Sequence, residues 1–364
     1  MFDYVLPNGL PAGSRTAWSQ LSLRPLAQGA LTPFSYSVLA EIAGRAWYQY
    51  FDALGFEPTP RARVLRQFQG HPYLNLTISA TRDAEMAAIA PMILRLDGQP
   101  FPLCKFEKPG FLAGLKASRS QAKVTSLLKK LASELDEVIQ KAQTWQDKTQ
   151  ELRWTQAEVL QVMEEIEPVG VPSFIAFFAA RHNLELTVNR LWQLLPANML
   201  ASDRTRLLTE AIPTLYTSVI SVEIRQAKEP AVISPNLVGQ PAALLAALDA
   251  DQRKAAQPLL VQVQPLLALQ DRALGGVYAI LTGTRRWALA AAKEAMGDQR
   301  LLAQEDVFFY ELEEMKEMMT GEWNISDRNE IQKTCTHRKL EYAQWQQARP
   351  SELLIGESEA ISTG

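Results

Sequence analysis

Between Ser118 and Leu152, apolar residues fall at Val124, Leu128, Leu131, Leu135, Val138, Ala142 and Trp145, in alternating steps of four and three. That spacing draws one apolar stripe along a helix, with Lys, Glu, Gln and Asp on its other faces. Such a seam belongs either to an arm that recruits a partner or to a long amphipathic helix packed on its own domain. Fewer than five heptads are present, and antiparallel pairs within one chain show the same spacing. Upstream, Tyr36, Trp47, Tyr48, Tyr50 and Phe51 crowd a helical segment predicted over Ser35–Leu54, entered after Pro33 and stopped at Gly55. So many aromatic rings on one helix predict core rather than surface. Val64–Phe68 and Tyr73–Ser79 are the strand candidates; the second alternates and carries β-branched residues, and Gly70-His71-Pro72 suits a turn between them.

Further helices are predicted from Trp154–Thr155 to just before Pro168, and over about 172–196, 203–228, 241–256, 258–281, 284–297 and 326–347. Thr155-Gln156-Ala157-Glu158 reads as a capping box, and proline sets several of the breaks. The Pro- and Gly-rich residues 1–33 read as an extended arm, and 229–241 as a loop at a lobe boundary. The expected fold is mainly α, a multi-helix domain with a small β-hairpin or short sheet near residues 63–80. Its expected organisation is an N-terminal arm, aromatic helix and β element (1–110), a helical lobe with the heptad-like helix (111–228), and a C-terminal helical lobe with a polar tail (229–364).

Composition narrows the function classes. Hydrophobic residues make up 47% of the 364 and charged residues 21%, with a formal net charge of -3. That balance supplies no basic footprint for nucleic acid. No apolar run reaches the roughly 20 residues of a membrane span, and Met1-Phe2-Asp3-Tyr4 does not open a signal peptide. A cytoplasmic location is expected. The two cysteines, Cys104 and Cys335, match no metal-ligand spacing and read as reduced thiols.

Candidate chemistry is sparse. Arg285-Arg286-Trp287, read as opening an Ala-rich helix, offers two guanidinium groups for a phosphate or carboxylate. The alternative is an interhelical salt bridge with cation–π packing on Trp287. His71, with Tyr73 and Asn75 following on the next strand, is a second candidate ligand-binding set. His182 is expected near a helix end and His337 on a charged surface. Adjacent carboxylates such as Glu164-Glu165 do not face each other on a helix and read as solvated. No catalytic grouping, metal site or cofactor is expected.

Three segments resemble one family. Gly29-Ala30-Leu31-Thr32-Pro33-Phe34-Ser35-Tyr36-Ser37 is similar to the stretch that opens the helical middle domain of the phosphoenolpyruvate-synthase and rifampicin-phosphotransferase enzymes. Gly70-His71-Pro72-Tyr73-Leu74-Asn75-Leu76 resembles the family's Gly-x-x-Tyr-Leu-Asn segment. Gln304-Glu305-Asp306-Val307-Phe308-Phe309-Tyr310, followed by Glu311–Met315, looks like its Pro-Glu-Asp-Val-Phe-Phe-Leu and the next helix. Arg338-Lys339-Leu340-Glu341-Tyr342 and Pro350 stand where the family has an Arg-rich helix and a proline-led linker. Order and spacing agree over about residues 22–357. The acidic residue that commonly precedes the family's Pro-Gly has no counterpart in Arg24–Gly29.

The resemblance implies a middle domain without the family's ATP-grasp and phosphohistidine domains. It would bind a substrate, such as a bulky apolar small molecule, or partner subunits carrying those domains, with the chemistry supplied in trans. The alternative expectation is a helical scaffold or assembly factor docking through the 118–152 helix. A piece of a longer enzyme is a third reading.

Overall fold

The computed structural model describes residues 16–20, 23, 26, 27, 29–55, 64–87, 94–96, 99–101, 111–151, 156–212, 223–227 and 239–355. It is mainly helical with a small antiparallel sheet, as the pattern predicts. Helix α1 (Pro33–Ala53) starts two residues before the predicted Ser35: Thr32 is the N-cap, Pro33 holds the first turn, and Gly55 leaves the helix at φ 81°. Its aromatic face is buried through Trp47, Tyr50 and Phe51.

Two long helices run through positions where proline was expected to end them. Helix α2 (Leu76–Ala87) is followed, after a short β-hairpin, by α3 (Phe111–Glu151) and α4 (Gln156–Leu194), and α4 carries Pro168 and Pro172 internally. After α5 (Ala201–Ala211) and α6 (Ala242–Ala246), helix α7 (Ala250–Gly297) contains Pro258 and Pro265 in one unbroken run. The breaks predicted before Pro168, between 256 and 258 and near 281–284 are therefore absent. Pro168, Pro258 and Pro265 are exposed, so the carbonyls four residues earlier lose their helix partner on a side where water replaces it. The helix predicted over 203–228 ends at Ala211, and Glu223 instead heads a 3-10 turn over Ile224–Gln226. Two shorter helices, α8 (Leu312–Thr320) and α9 (Arg328–Gln347), close the helical part.

Helices α3, α4 and α7 pack along one another, with α1 against α4. The heptad seam is spent here: Val124, Leu135, Ala142 and Trp145 are buried, Leu128, Leu131 and Val138 half-buried. Its apolar stripe is therefore a packing surface within the molecule, not a free docking face. Close approach needs a residue without a side chain, because a Cβ on Gly283 of α7 would lie 2.3 Å from the Trp145 ring of α3. One apolar cluster joins α1, the sheet, α3, α4, α7 and residues 301–342; a second joins the end of α4 to α5, α6 and the first half of α7.

The sheet comprises β1 (Ala17–Ser19), β2 (Leu65–Phe68), β3 (His71–Asn75) and, at the far end of the chain, a strand over Leu353–Ile355, in the order β2, β3, β1, Leu353–Ile355. Between β2 and β3, Gln69 and Gly70 both take positive φ, 46° and 75°, as a two-residue hairpin turn requires. The turn thus lies one residue earlier than Gly70-His71-Pro72, and His71 belongs to the strand. The predicted strand over Tyr73–Ser79 stops at Asn75, whose side-chain oxygen accepts from the Ile78 N–H at 3.1 Å and turns the chain into α2. Part of the supposed N-terminal arm is strand β1. A second hairpin, β4 (Leu94–Leu96) with β5 (Gln99–Phe101), had no clear signal in the sequence. The Leu353–Ile355 strand is β6. Cys104, Thr155 and the tail 356–364 lie outside the described residues.

Candidate functional site

The entrance of α1 gathers all three segments that carried the resemblance. A helix N-terminus leaves backbone N–H groups without partners and a positive end of its dipole. Here Glu223, 3% exposed, supplies the countercharge from 191 residues away in sequence. Its carboxylate accepts from the Thr32 N–H at 2.7 Å, the Thr32 hydroxyl at 3.0 Å, the Ser35 hydroxyl at 2.8 Å and the Arg225 N–H at 3.1 Å. The Ser35 hydroxyl in turn accepts from the Ile224 N–H at 2.9 Å. Burial pushes the Glu223 carboxyl above the usual glutamate range, and these donors pull the other way.

The ring of Phe34, in the first turn of α1, stacks on Trp287 of α7 at 6.0 Å and meets Phe308 edge-on at 5.8 Å. Glu305 opens the 3-10 turn Gln304–Phe309 and receives Arg285 at 3.0 Å and Arg225 at 3.8 Å. Arg285 also donates to the Arg225 carbonyl at 2.9 Å. Asp306, buried, accepts from the Ala303 N–H at 3.1 Å and pairs with Lys339 of α9 at 2.6 Å. The Ser37 hydroxyl accepts from the Leu312 N–H at 2.9 Å, tying α1 to the start of α8. From the hairpin, the Gly70 carbonyl accepts from the Leu31 N–H at 2.8 Å. A Cβ at Gly70 would lie 2.9 Å from that of Ala30 and 2.8 Å from the Trp345 ring, so the backbone must approach closely there.

The sequence candidates divide between this junction and the sheet. Arg285, Arg286 and Trp287 do not open a helix; they lie deep inside α7. Arg285 is committed to Glu305. Arg286 reaches the Gln146 carbonyl at 3.5 Å and, with the Gln150 amide oriented by its hydrogen bonds, the Gln150 oxygen at 3.2 Å. Trp287 is fully buried. The salt bridge of the alternative reading is present, and Arg285 lies over the Phe308 ring at 5.9 Å. Both guanidinium groups of this pair thus have acceptors within the chain.

His71, Tyr73 and Asn75 share one face of β3. Tyr73, buried, donates to the Ser351 carbonyl at 2.6 Å, and Asn75 caps α2. His71 hydrogen-bonds the Trp345 backbone, and burial lowers its pKa from the ordinary histidine value. His182 does not sit at a helix end; it lies within α4, 3.0 Å from the Tyr50 hydroxyl. His337 is 72% exposed beside Glu341, as its charged neighbours predict. Cys335 is buried, and burial pushes its thiol up to about 11, with the Asp306 charge adding to it, so at neutral pH it is an unreactive thiol. Tyr342, buried under Phe309, is pushed up to about 12 by burial and then by the Glu223 charge.

Sequence reasoning placed a helix entrance at Pro33 but missed Glu223 and Arg225. No local signal marks a glutamate that caps a helix so far away in sequence. Among the described residues, no group of three His, Cys, Asp or Glu side chains is placed to hold a metal ion, and no helix is long and apolar enough to cross a membrane. No family model matches the chain, and no curated protein matches it.

Proposed function

We propose that the chain is a non-catalytic relative of the helical middle domain of the phosphoenolpyruvate-synthase and rifampicin-phosphotransferase enzymes. In this reading it acts in the cytoplasm and binds a substrate, or the ATP-grasp and phosphohistidine partner subunits, in trans. The observation that carries the reading is the junction at α1. Gly29–Ser37, Gly70–Leu76 and Gln304–Tyr310, scattered through the sequence, form one packed unit there. Segments kept in order and spacing for the sake of one junction are what a shared fold requires, whereas three chance matches have no reason to touch.

The state of the charged groups supports the non-catalytic half. Phosphoryl transfer needs cations or metal ions aimed at the charge that develops on the transferred group. Arg225 and Arg285 are instead neutralised by Glu305, and Lys339 by Asp306. The scaffold alternative loses its proposed surface, because the α3 seam is covered by α4 and α7.

Two measurements test the proposal. Incubation of the full chain with ATP, phosphate and candidate acceptors should give no phosphorylated product; autonomous transfer would overturn the non-catalytic assignment. A native pull-down should bring proteins with ATP-grasp and phosphohistidine domains, and recovery of an unrelated complex in their place would favour a scaffold.

A further inference from the structure

One face of the four-stranded sheet holds polar atoms that the chain leaves unpaired. Directly opposed residues of an antiparallel pair share a face. The registers Trp18 to Asn75, Arg66 to Tyr73 and Phe68 to His71 therefore put all six side chains on one side. Gln20, two residues past Trp18, continues that side next to Tyr73. The Arg66 guanidinium stands over the rings of Phe68 and Trp18, 5.5 and 5.9 Å from their centroids, and Phe68 meets Tyr73 edge-on at 5.2 Å. Among the described residues no acid, carbonyl or amide oxygen is bonded to Arg66. Its contacts are ring faces, which leave the N–H fork unused.

Around this cation two buried polar atoms are orphaned as well. Trp18 is 3% exposed, and among the described residues its Nε1–H has no partner; nor has Nε2 of His71, while the Gln20 amide bonds the Tyr73 hydroxyl. Trp18 Nε1 and His71 Nε2 are thus two side-chain polar atoms that are shielded from water and unpaired among the described residues. Folded chains rarely leave such groups bare, because their desolvation is then uncompensated. His71 bonds the Trp345 backbone through its other ring nitrogen, so its Nε2 carries a free lone pair while the ring is neutral. The set thus comprises one fixed cation, one neutral N–H donor and one acceptor. Arg66, Phe68, Gln20 and His71 are each half-buried, and β2 is an edge strand.

We propose that this sheet face is a binding site for a small oxyanion, a carboxylate or phosphate, held by Arg66 and Trp18 Nε1, with His71 Nε2 accepting from a hydroxyl or N–H of the same ligand. The site is separate from the α1 junction and does not depend on the chain having catalytic partners. Among the described residues its cation faces no carboxylate, unlike Arg225 and Arg285, and this leaves it available to an external one.

Calorimetric titration of the full chain with sodium phosphate and, separately, with sodium lactate at constant ionic strength tests the assignment. At least one should bind saturably with a dissociation constant on the order of 1 mM. Arg66→Gln should weaken binding at least about tenfold, and Arg66→Lys, which keeps the charge without the fork, by an intermediate factor. Trp18→Phe keeps a ring and removes only the donor, and should weaken binding by a smaller factor. Tighter phosphate binding would mark a phosphorylated ligand, and tighter lactate binding a hydroxycarboxylate. Saturation by neither anion, or equal binding by the wild type and a folded Arg66→Gln or Arg66→Lys, would overturn the proposal.

Discussion

The entrance of α1 and the outer face of the sheet are both buried, polar and built from distant segments, yet they treat their polar groups in opposite ways. At α1 each charge meets a partner: Glu223 has four donors, and Glu305 and Asp306 have their cations. On the sheet, Arg66 faces rings, and Trp18 Nε1 and His71 Nε2 have no partner among the described residues. Full internal pairing marks a junction that holds the fold together, since a satisfied network rigidifies and a broken one is costly. Incomplete pairing marks a surface whose remaining partner comes from outside.

The sharpest test of that contrast is Glu223→Ala. It strands the Thr32 N–H and two hydroxyls in the interior and should cost about 3 kcal/mol of unfolding free energy in urea denaturation. A loss under about 1 kcal/mol would mean that the carboxylate is dispensable to the junction. Gly70→Ala strikes the seam between the two regions. A positive φ and contacts of 2.8 and 2.9 Å to Trp345 and Ala30 should together cost about 2 kcal/mol. Gly29→Ala, with nothing within 4 Å, should by comparison be near neutral in the same assay.

On the sheet the expected effects shrink. Tyr73→Phe removes one satisfied bond to Ser351 and should cost about 1 kcal/mol. Gln20→Leu removes the amide beside the Tyr73 hydroxyl and should cost less than about 1 kcal/mol; a loss larger than that of Tyr73→Phe would show that the amide holds more than this one hydroxyl. The smallest effect is in pH dependence. His71 is held below its unfolded pKa, so the unfolded chain binds more protons as pH falls through the ordinary histidine value, and stability falls with it. Glu223, held above its unfolded pKa, has the opposite sign: stability falls as pH rises from the glutamate range towards its raised value. Melting curves of His71→Asn and Glu223→Gln should flatten the two slopes separately.

Much of the fold was legible because its signals are local. The Thr32-Pro33 cap, the Gly55 stop, the seam of α3 and the Leu65–Asn75 hairpin each follow from a few neighbouring residues. The site was less legible. Arg285 and Arg286 attracted attention as a pair of cations, but cations near one another in sequence carry no information about the acceptors that fold beside them. Trp18, Gln20 and Arg66 drew none, because a face of a sheet assembles from strands whose pairing a local pattern does not specify.

What the sequence alone determined is the mainly helical class, the apolar stripe of α3 and the entrance and exit of α1, since these depend on periodicity and on hydrogen bonds spanning a few residues. Only the tertiary structure decided that Pro168, Pro258 and Pro265 are tolerated, that the α3 seam is spent inside the molecule, and that Glu223 neutralises a distant helix. Each of these depends on which side of an element meets water and which meets another element. That follows from the burial of the whole chain and from no segment taken singly.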